Sequence, residues 1–243
     1  MAAKPSKPNV ESCLTCPHRQ DSSWRVLDDA ELARLERGRR VRSCAAGEAV
    51  FGQGEDDRAV YCVRSGTIAV RKLDQDGNSV LLSLNYPSDL VGYGSYLTGG
   101  EHRTSAEALG PATVCAIDGA AITEAMGHNP KLALELLRRA AAEVEHAQAA
   151  IFGAATLSNR DRLVRLLQEL LRRHGQACPD GTRRIDLPLS RRDLASMIGV
   201  RHETLSRIIG RLEKEGLAQF SGRHVTIPSI QALASAAARP AED

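Results

Sequence analysis

The segment LSRRDLASMIGVRHETLSRIIGRLEKEGL, from Leu189 to Leu217, constrains the fold more than any other part of the chain. It reads as two short helices joined by a tight turn at Ile198-Gly199-Val200, with Arg, His, Glu, Ser and Arg along one edge of the second. That is the outline of a helix-turn-helix, whose second helix enters the DNA major groove. After it, Leu217-Ala218-Gln219-Phe220 and His224-Val225-Thr226-Ile227 flank Ser221-Gly222 and read as a hairpin, which makes the unit a winged helix. Before it, Asp161 to His174 is strongly amphipathic through Leu163, Leu166, Leu167, Leu170 and Leu171. Gly175 to Asp180 then reads as a turn, and Arg184-Ile185-Asp186-Leu187 as a short strand.

Charge is divided in the way such a module requires. From Ser158 onward there are 15 basic and 10 acidic residues, a formal +5, so the first 157 residues carry −3 of the whole chain's +2. A basic C-terminal part on a slightly acidic N-terminal one suits a nucleic-acid binder with a separate control domain. No apolar run approaches the roughly 20 residues that span a bilayer. The beginning MAAKPSKPNVESC has no apolar stretch of the kind that directs secretion, so the expected location is the cytoplasm. Six cysteines in such a chain point to metal, cluster or redox chemistry rather than a disulfide framework.

Between Val41 and Ile117 the pattern is one of short apolar runs punctuated by glycines. Val60–Val63, Thr67–Val70 and Val80–Leu84 read as strands, and Asp76-Gly77 between two of them is a hairpin signal. Many short strands at regular spacing predict a sandwich or roll. Helical spacing precedes them at Asp28 to Arg37, with Asp28 or Asp29 as the cap. A long helical pattern follows from Pro130 to Leu157. Its Leu134, Leu137, Ala141, Val144, Ala147 (or Gln148) and Ile151 form a narrow seam like that of a two-helix coiled coil, so Val144, Ala147 and Ile151 are expected to meet a second copy of the chain. The bland alternative is a helix packed on its own domain.

Taken together, AVFGQGEDDRAVYCVRSGTIAV, NYPSDLVGYGSYLTGGEHRTSAEALGPATVCAI, the long helix and the winged helix resemble the Crp/Fnr family of bacterial transcription regulators, over nearly everything from Asp28 to Leu233. E-T-L-S-R in the second helix and the N-terminal cysteine pair are most similar to the Fnr branch. The resemblance implies an α+β fold: an N-terminal double-stranded β-roll like that of cyclic-nucleotide-binding domains, a long dimerisation helix and a C-terminal winged helix-turn-helix. The corresponding divisions are a cysteine-containing segment 1–27, a β-roll 28–128, a dimerisation helix 129–157 and a DNA-binding domain 158–243. The implied partners are double-stranded DNA, a second copy of the chain and RNA polymerase, with no membrane.

Helical spacing places Glu203, Ser206 and Arg207 on one face. Arg207 suits bidentate contact with guanine O6 and N7, Glu203 can accept from cytosine N4, and Ser206 can touch thymine or its neighbour. Arg201 and His202, at the helix start, suit phosphate or outer base contacts. The resemblance implies a TTGAT-like half-site. The competing reading is that Glu203 and Arg207 form only a surface pair worth a few tenths of a kcal/mol.

Two inputs compete. Cys13-x-x-Cys16 and Cys115 stand where the Fnr branch has iron–sulfur ligands, but Pro17 to Val26 lacks the further cysteine that the branch carries. The β-roll of the family puts its last strand between the first and third, so Cys44 and Cys62 are both expected to flank Cys115. Either would complete a site, at most four of the five cysteines serving, or pair with Cys115 as a redox-sensitive disulfide; core packing is the ordinary fate of such residues. Zinc at Cys13, Cys16 and His18 is also open. The second input is a cyclic nucleotide or other small ligand, with Arg103 and Thr104 holding a phosphate. Tyr93 stands where the family's cassette has its ribose-binding Glu. A regulator without cofactor, dimeric at all times, is the remaining form. Scattered histidines and the absence of a nucleophile–base arrangement exclude an enzyme.

Overall fold

The computed structural model describes residues 12–236, which divide into two units between Ala142 and Glu143. In the first, two 3-10 turns, Cys13–Thr15 and Ser23–Val26, lead into helix α1 (Asp29–Arg37). A capping box starts α1: the Asp28 side chain accepts from the Glu31 amide, and Glu31 accepts from the Asp28 amide.

Eight strands follow: β1 (Arg39–Cys44), β2 (Ala49–Phe51), β3 (Val60–Ser65), β4 (Ile68–Leu73), β5 (Ser79–Asn85), β6 (Leu90–Val91), β7 (Ser105–Ala108) and β8 (Ala112–Ile117). Helix α2 (Tyr93–Thr98) interrupts them after β6. They form two antiparallel four-stranded sheets, in the orders β1-β8-β3-β6 and β2-β7-β4-β5. The expected hairpin at Asp76-Gly77 joins β4 to β5, closed by the Gly77 amide on Asp74 O. At Gly66, between β3 and β4, φ is +80° and a Cβ would lie 2.6 Å from the Pro111 carbonyl oxygen, so only glycine fits that corner.

Strand alternation gives the first sheet two different faces. Tyr61 and Val63 of β3, with Val114 and Ala112 of β8, line the interior of the roll beside Phe51, Ile68 and Ala106. Val60 and Ile117 face the other way, into a second cluster with Trp24, Leu32, Leu35, Tyr93, Leu132 and Leu136. That second cluster is closed by α1, helix α3 (Gly119–His128) and the start of helix α4 (Pro130–Thr156). Within α4, Leu132 and Leu136 are buried, whereas Leu134, Leu137, Val144 and Ile151 stand exposed. The expected seam is thus a separate stripe from the one packed on this chain's own core.

In the second unit, helix α5 (Asn159–His174) begins at a Ser158 cap and buries Leu163, Val164, Leu166, Leu167 and Leu170. A sheet of order β11-β12-β10-β9 follows from β9 (Gly175–Ala177), β10 (Arg183–Asp186), β11 (Gln219–Ser221) and β12 (His224–Ile227). The turn expected over Gly175 to Asp180 therefore begins later, because Gly175–Ala177 pairs with β10. Three polar or small residues carry no alternation to announce an edge strand; the pairing comes from β10. Helices α6 (Arg191–Met197) and α7 (His202–Lys214) lie between β10 and β11, and α8 (Ile230–Ala236) comes last.

Candidate cysteine centre and DNA-reading helix

The Ile198-Gly199-Val200 turn between α6 and α7 depends on Gly199, whose φ is +66°. A Ser190–Asp193 capping box starts α6. Helix α7 buries Leu205, Ile208, Ile209 and Leu212, so packing of that face determines which residues face water. Arg201, His202, Glu203, Ser206 and Arg207 are all exposed. The Ser206 hydroxyl donates to the His202 carbonyl at 3.1 Å. Among the described residues, no hydrogen bond or ion pair engages the Glu203 or Arg207 side chain, so the surface pair between them does not form. Farther along, Arg211 pairs with Glu215, which also holds Arg160. The wing is fastened to α6 by the Arg191 guanidinium, 4.8 Å above the Phe220 ring, and to α7 by the Phe220 amide on Glu213.

In the first unit, Cys13, Cys16, Cys62 and Cys115 line one cavity of about 30 Å³, together with His18, Arg19, Ser22, Trp24, Leu32 and Arg39. Cys62 of β3 and Cys115 of β8 are direct register partners. Cys44 is not part of this group, contrary to the expectation that it flanks Cys115. Its partner on β8 is Ala112, three residues from Cys115, and an odd step along a strand reverses the face. Cys44 is buried instead in the interior of the roll beside Val50, Phe51 and Val114. Cys178 lies in the second unit, after β9, as a free thiol.

The segment carrying Cys13 and Cys16 is attached at several points. Ser12 Oγ donates to Glu36, Arg19 pairs with Asp29 and donates to the Leu27 carbonyl, and Trp24 is buried in the core. Arg25 reaches the buried Glu135 on α4 at 2.7 Å, and Asn129 donates to the Val26 carbonyl. No periodicity or motif in the sequence marks these anchors. A lone Trp in an aperiodic stretch was the available signal, because so large an apolar side chain is seldom left in water.

Arg39 crosses the cavity wall. Its guanidinium pairs with Glu36 at 2.7 Å and lies 3.9 Å from Cys115 Sγ. Burial pushes the Cys13 thiol up to about 11, with Arg39 opposing the rise. Burial pushes Cys62 up to about 12, reinforced by Cys115 and opposed by a hydrogen bond from the Trp24 side chain. Cys115 is raised by burial too, against the pull of Arg39. These are protonated thiols at neutral pH, poor nucleophiles that a metal would deprotonate on binding.

Thiol donors in this number match an iron–sulfur cluster, which is held by four cysteines. Among the described residues, no three Cys, His, Asp or Glu side chains are already grouped around a point that a single ion could occupy. The cavity has room for about one water, so a loaded site would be wider than the one described.

The residues weighed for a nucleotide are arranged differently. Arg103 is exposed, Thr104 is half-buried just before β7, and Tyr93 is packed into the core. Nearby, His102 is 2 % exposed, stacks on Phe51 with ring centroids 3.9 Å apart, and shares a hydrogen bond with Ser95. Burial lowers its pKa, against Asp57 and Glu55.

A β-roll and a winged helix-turn-helix whose second helix exposes Arg201, His202, Glu203, Ser206 and Arg207 define a DNA-binding regulator. Residues 41–129 match the cyclic nucleotide-binding domain, and residues 161–236 the Crp-like helix-turn-helix domain. The "Anaerobic regulatory protein" of Haemophilus influenzae is 28% identical over 222 residues, spanning 91% of this chain and 86% of its own. The "Fumarate and nitrate reduction regulatory protein" of Escherichia coli K12 is 28% identical over 226 residues, spanning 93% and 90%. The solved structure of FixK2 from Bradyrhizobium japonicum superposes with a TM-score of 0.70 at 28% identity, covering 84% of this chain and 99% of FixK2. The chain belongs to the Crp/Fnr family: it is a DNA-binding transcription regulator and not an enzyme. Among the described residues, no helix is long and apolar enough to cross a membrane.

Proposed function

We propose that this regulator is a cytoplasmic homodimer that reads a two-fold symmetric, TTGAT-like site through α7 and answers oxygen or redox conditions through an iron–sulfur cluster. Residues 1–27 and 28–128 form the sensor, 129–157 the dimerisation helix, and 158–243 the DNA-binding domain that also meets RNA polymerase. The observation that carries the reading is the convergence of Cys13 and Cys16, from the N-terminal segment, with Cys115 of β8 on one cavity. The names of the anaerobic and fumarate–nitrate relatives support the same input.

The cysteines and Arg39 would hold the group; when bound, it supplies a redox-active centre that oxygen can alter. The chain's own residues link that centre to the helix. Trp24 packs in one cluster with Leu132 and Leu136 of α4, and Arg25 pairs with Glu135. A displacement of the cysteine segment therefore withdraws contacts from the base of α4. On α4, Val144 and Ile151 are 55% and 71% exposed, as residues reserved for a second copy would be in a single chain.

Anaerobic purification, with a visible spectrum and iron and sulfide counts, tests the reading. A brown protein is expected; a colourless, iron-free protein that still binds its site tightly contradicts it. The match to the cyclic nucleotide-binding domain supports a second reading, in which a nucleotide phosphate meets Arg103 and Thr104. Tyr93, which stands where the family's cassette has its ribose-binding Glu, is buried in the core, and this weakens it. Calorimetric titration with cyclic AMP separates the two.

A further inference from the structure

We propose that Cys62 supplies the fourth cluster ligand, the one for which the N-terminal segment has no cysteine. The proposal rests on the cluster reading above and assigns the ligand that reading leaves open. After Cys16, the sequence offers Cys44, Cys62, Cys115 and Cys178. Cys178 belongs to the other unit, and Cys115 is already counted, so the choice lies between Cys44 and Cys62.

The pleat makes that choice. Residues directly opposite in an antiparallel pair share a face, and each step along a strand changes it. Cys62 opposes Cys115, so both thiols leave the sheet on the side where Trp24, Leu32 and Arg39 close the cavity. Cys44 opposes Ala112 and leaves on the other side. Two strand cysteines and the two from Cys13-Leu-Thr-Cys16 thus surround one space, all of them free thiols.

His18 also lines the cavity and is the rival donor. It sits on the turn beside Cys16, whereas the Cys62 backbone is held between β6 and β8. Arg39, which lies 3.9 Å from Cys115 Sγ, lines the same cavity as Cys62, and hydrogen bonds to ligating sulfur tune a cluster's potential.

A single ion fits the arrangement less well. Four thiolates about 2.3 Å from one zinc stand within roughly 4 Å of one another, and no such grouping exists among the described residues. A four-iron cluster gives each thiolate its own iron and needs wider spacing. On loading, each S–H exchanges its proton to water as an S–Fe bond forms, with no electron transferred from the cysteine. The iron, supplied as ferrous and ferric salts in equal parts, and the sulfide come from the reconstitution mixture, so the mixed-valence cluster forms without a further oxidant.

The test uses the full chain with Cys62→Ala, Cys62→Ser, Cys44→Ala and His18→Ala. Each is reconstituted anaerobically with ferrous and ferric iron, sulfide and a thiol, then read by visible absorbance, by electron paramagnetic resonance before and after reduction with dithionite, and by iron and sulfide counts. Wild type, Cys44→Ala and His18→Ala are expected to hold about four irons per chain. Cys62→Ala is expected to lose the cluster or retain a three-iron form with its own resonance. Cys62→Ser preserves the volume should the alanine variant misfold, and is expected to give a shifted spectrum or a cluster that bleaches faster. A wild-type spectrum and iron count in either Cys62 variant, or loss on His18→Ala in its place, overturns the assignment while leaving a cluster. A wild-type chain that takes up no cluster overturns the cluster reading itself, and this assignment with it.

Discussion

Arg207→Ala isolates the DNA-reading step from the rest of the molecule. This guanidinium is exposed and meets no hydrogen-bond or ion-pair partner among the described residues, so truncation costs the fold at most about 0.5 kcal/mol. Whatever is lost should therefore appear in binding. A bidentate contact with guanine is worth about 1–3 kcal/mol of discrimination, roughly 5- to 150-fold for one half-site. In a two-fold complex the loss occurs twice, about 2–6 kcal/mol in all. Ser206→Ala provides an internal scale: its hydroxyl is already engaged by the His202 carbonyl, and its loss should be several-fold smaller. Fluorescence anisotropy at fixed salt, with duplexes carrying each of the four base pairs at every half-site position, measures both. Arg207→Ala should flatten preference at one base pair and leave the others in order. Uniform weakening on all duplexes, with a shallower salt slope, would make Arg207 a phosphate contact and refute the base-reading argument.

Trp24→Ala should destabilise the first unit by about 3–5 kcal/mol in urea unfolding, as large-to-small changes in a packed core do; a cost below about 1 kcal/mol would mean that the cysteine segment is not part of the core. Ile151→Glu and Val144→Glu, at exposed positions, should turn a dimer into a folded monomer in sedimentation, whereas a persisting dimer, or a wild-type monomer at micromolar concentration without ligand, would sink the seam. His102 adds acid sensitivity: the unfolded chain protonates it near pH 6.5 and the folded chain only below that, so unfolding takes up a proton and stability falls as pH drops through about 6.5. His102→Gln should narrow the difference between urea midpoints at about pH 7.5 and 5.5; an unchanged difference would remove His102 as its source.

Local chemistry made much of this architecture readable. Asp76-Gly77 announces its hairpin, the cap before α1 precedes Leu32 and Leu35, three residues apart, and Gly199 marks the turn between α6 and α7. The exposed stripe of Leu134, Leu137, Val144 and Ile151 on α4 falls on helix positions other than those of Leu132 and Leu136, which pack inward. What escaped depends on partners far away in sequence. Whether Cys44 or Cys62 joins Cys115 is a matter of strand parity, which requires the register of β1 and β3 on β8. Topology alone put both beside β8, and the pleat then separated them. Trp24, Arg25 and Arg39 fall in stretches without periodicity, and their roles exist only where Glu36, Glu135 and the cavity meet them. The strand Gly175–Ala177 is likewise defined by its neighbour rather than by its own residues.

The central claim, that the cysteine cavity controls DNA binding through a cluster, can be tested in one cuvette. Anaerobically purified protein, bound to a fluorescent TTGAT-type palindrome, is titrated with air-saturated buffer while visible absorbance and anisotropy are recorded together. The account predicts that DNA affinity changes over the same oxygen doses that bleach the cluster. Complete bleaching with no change in anisotropy, or a colourless preparation that binds the palindrome tightly from the start, would contradict it.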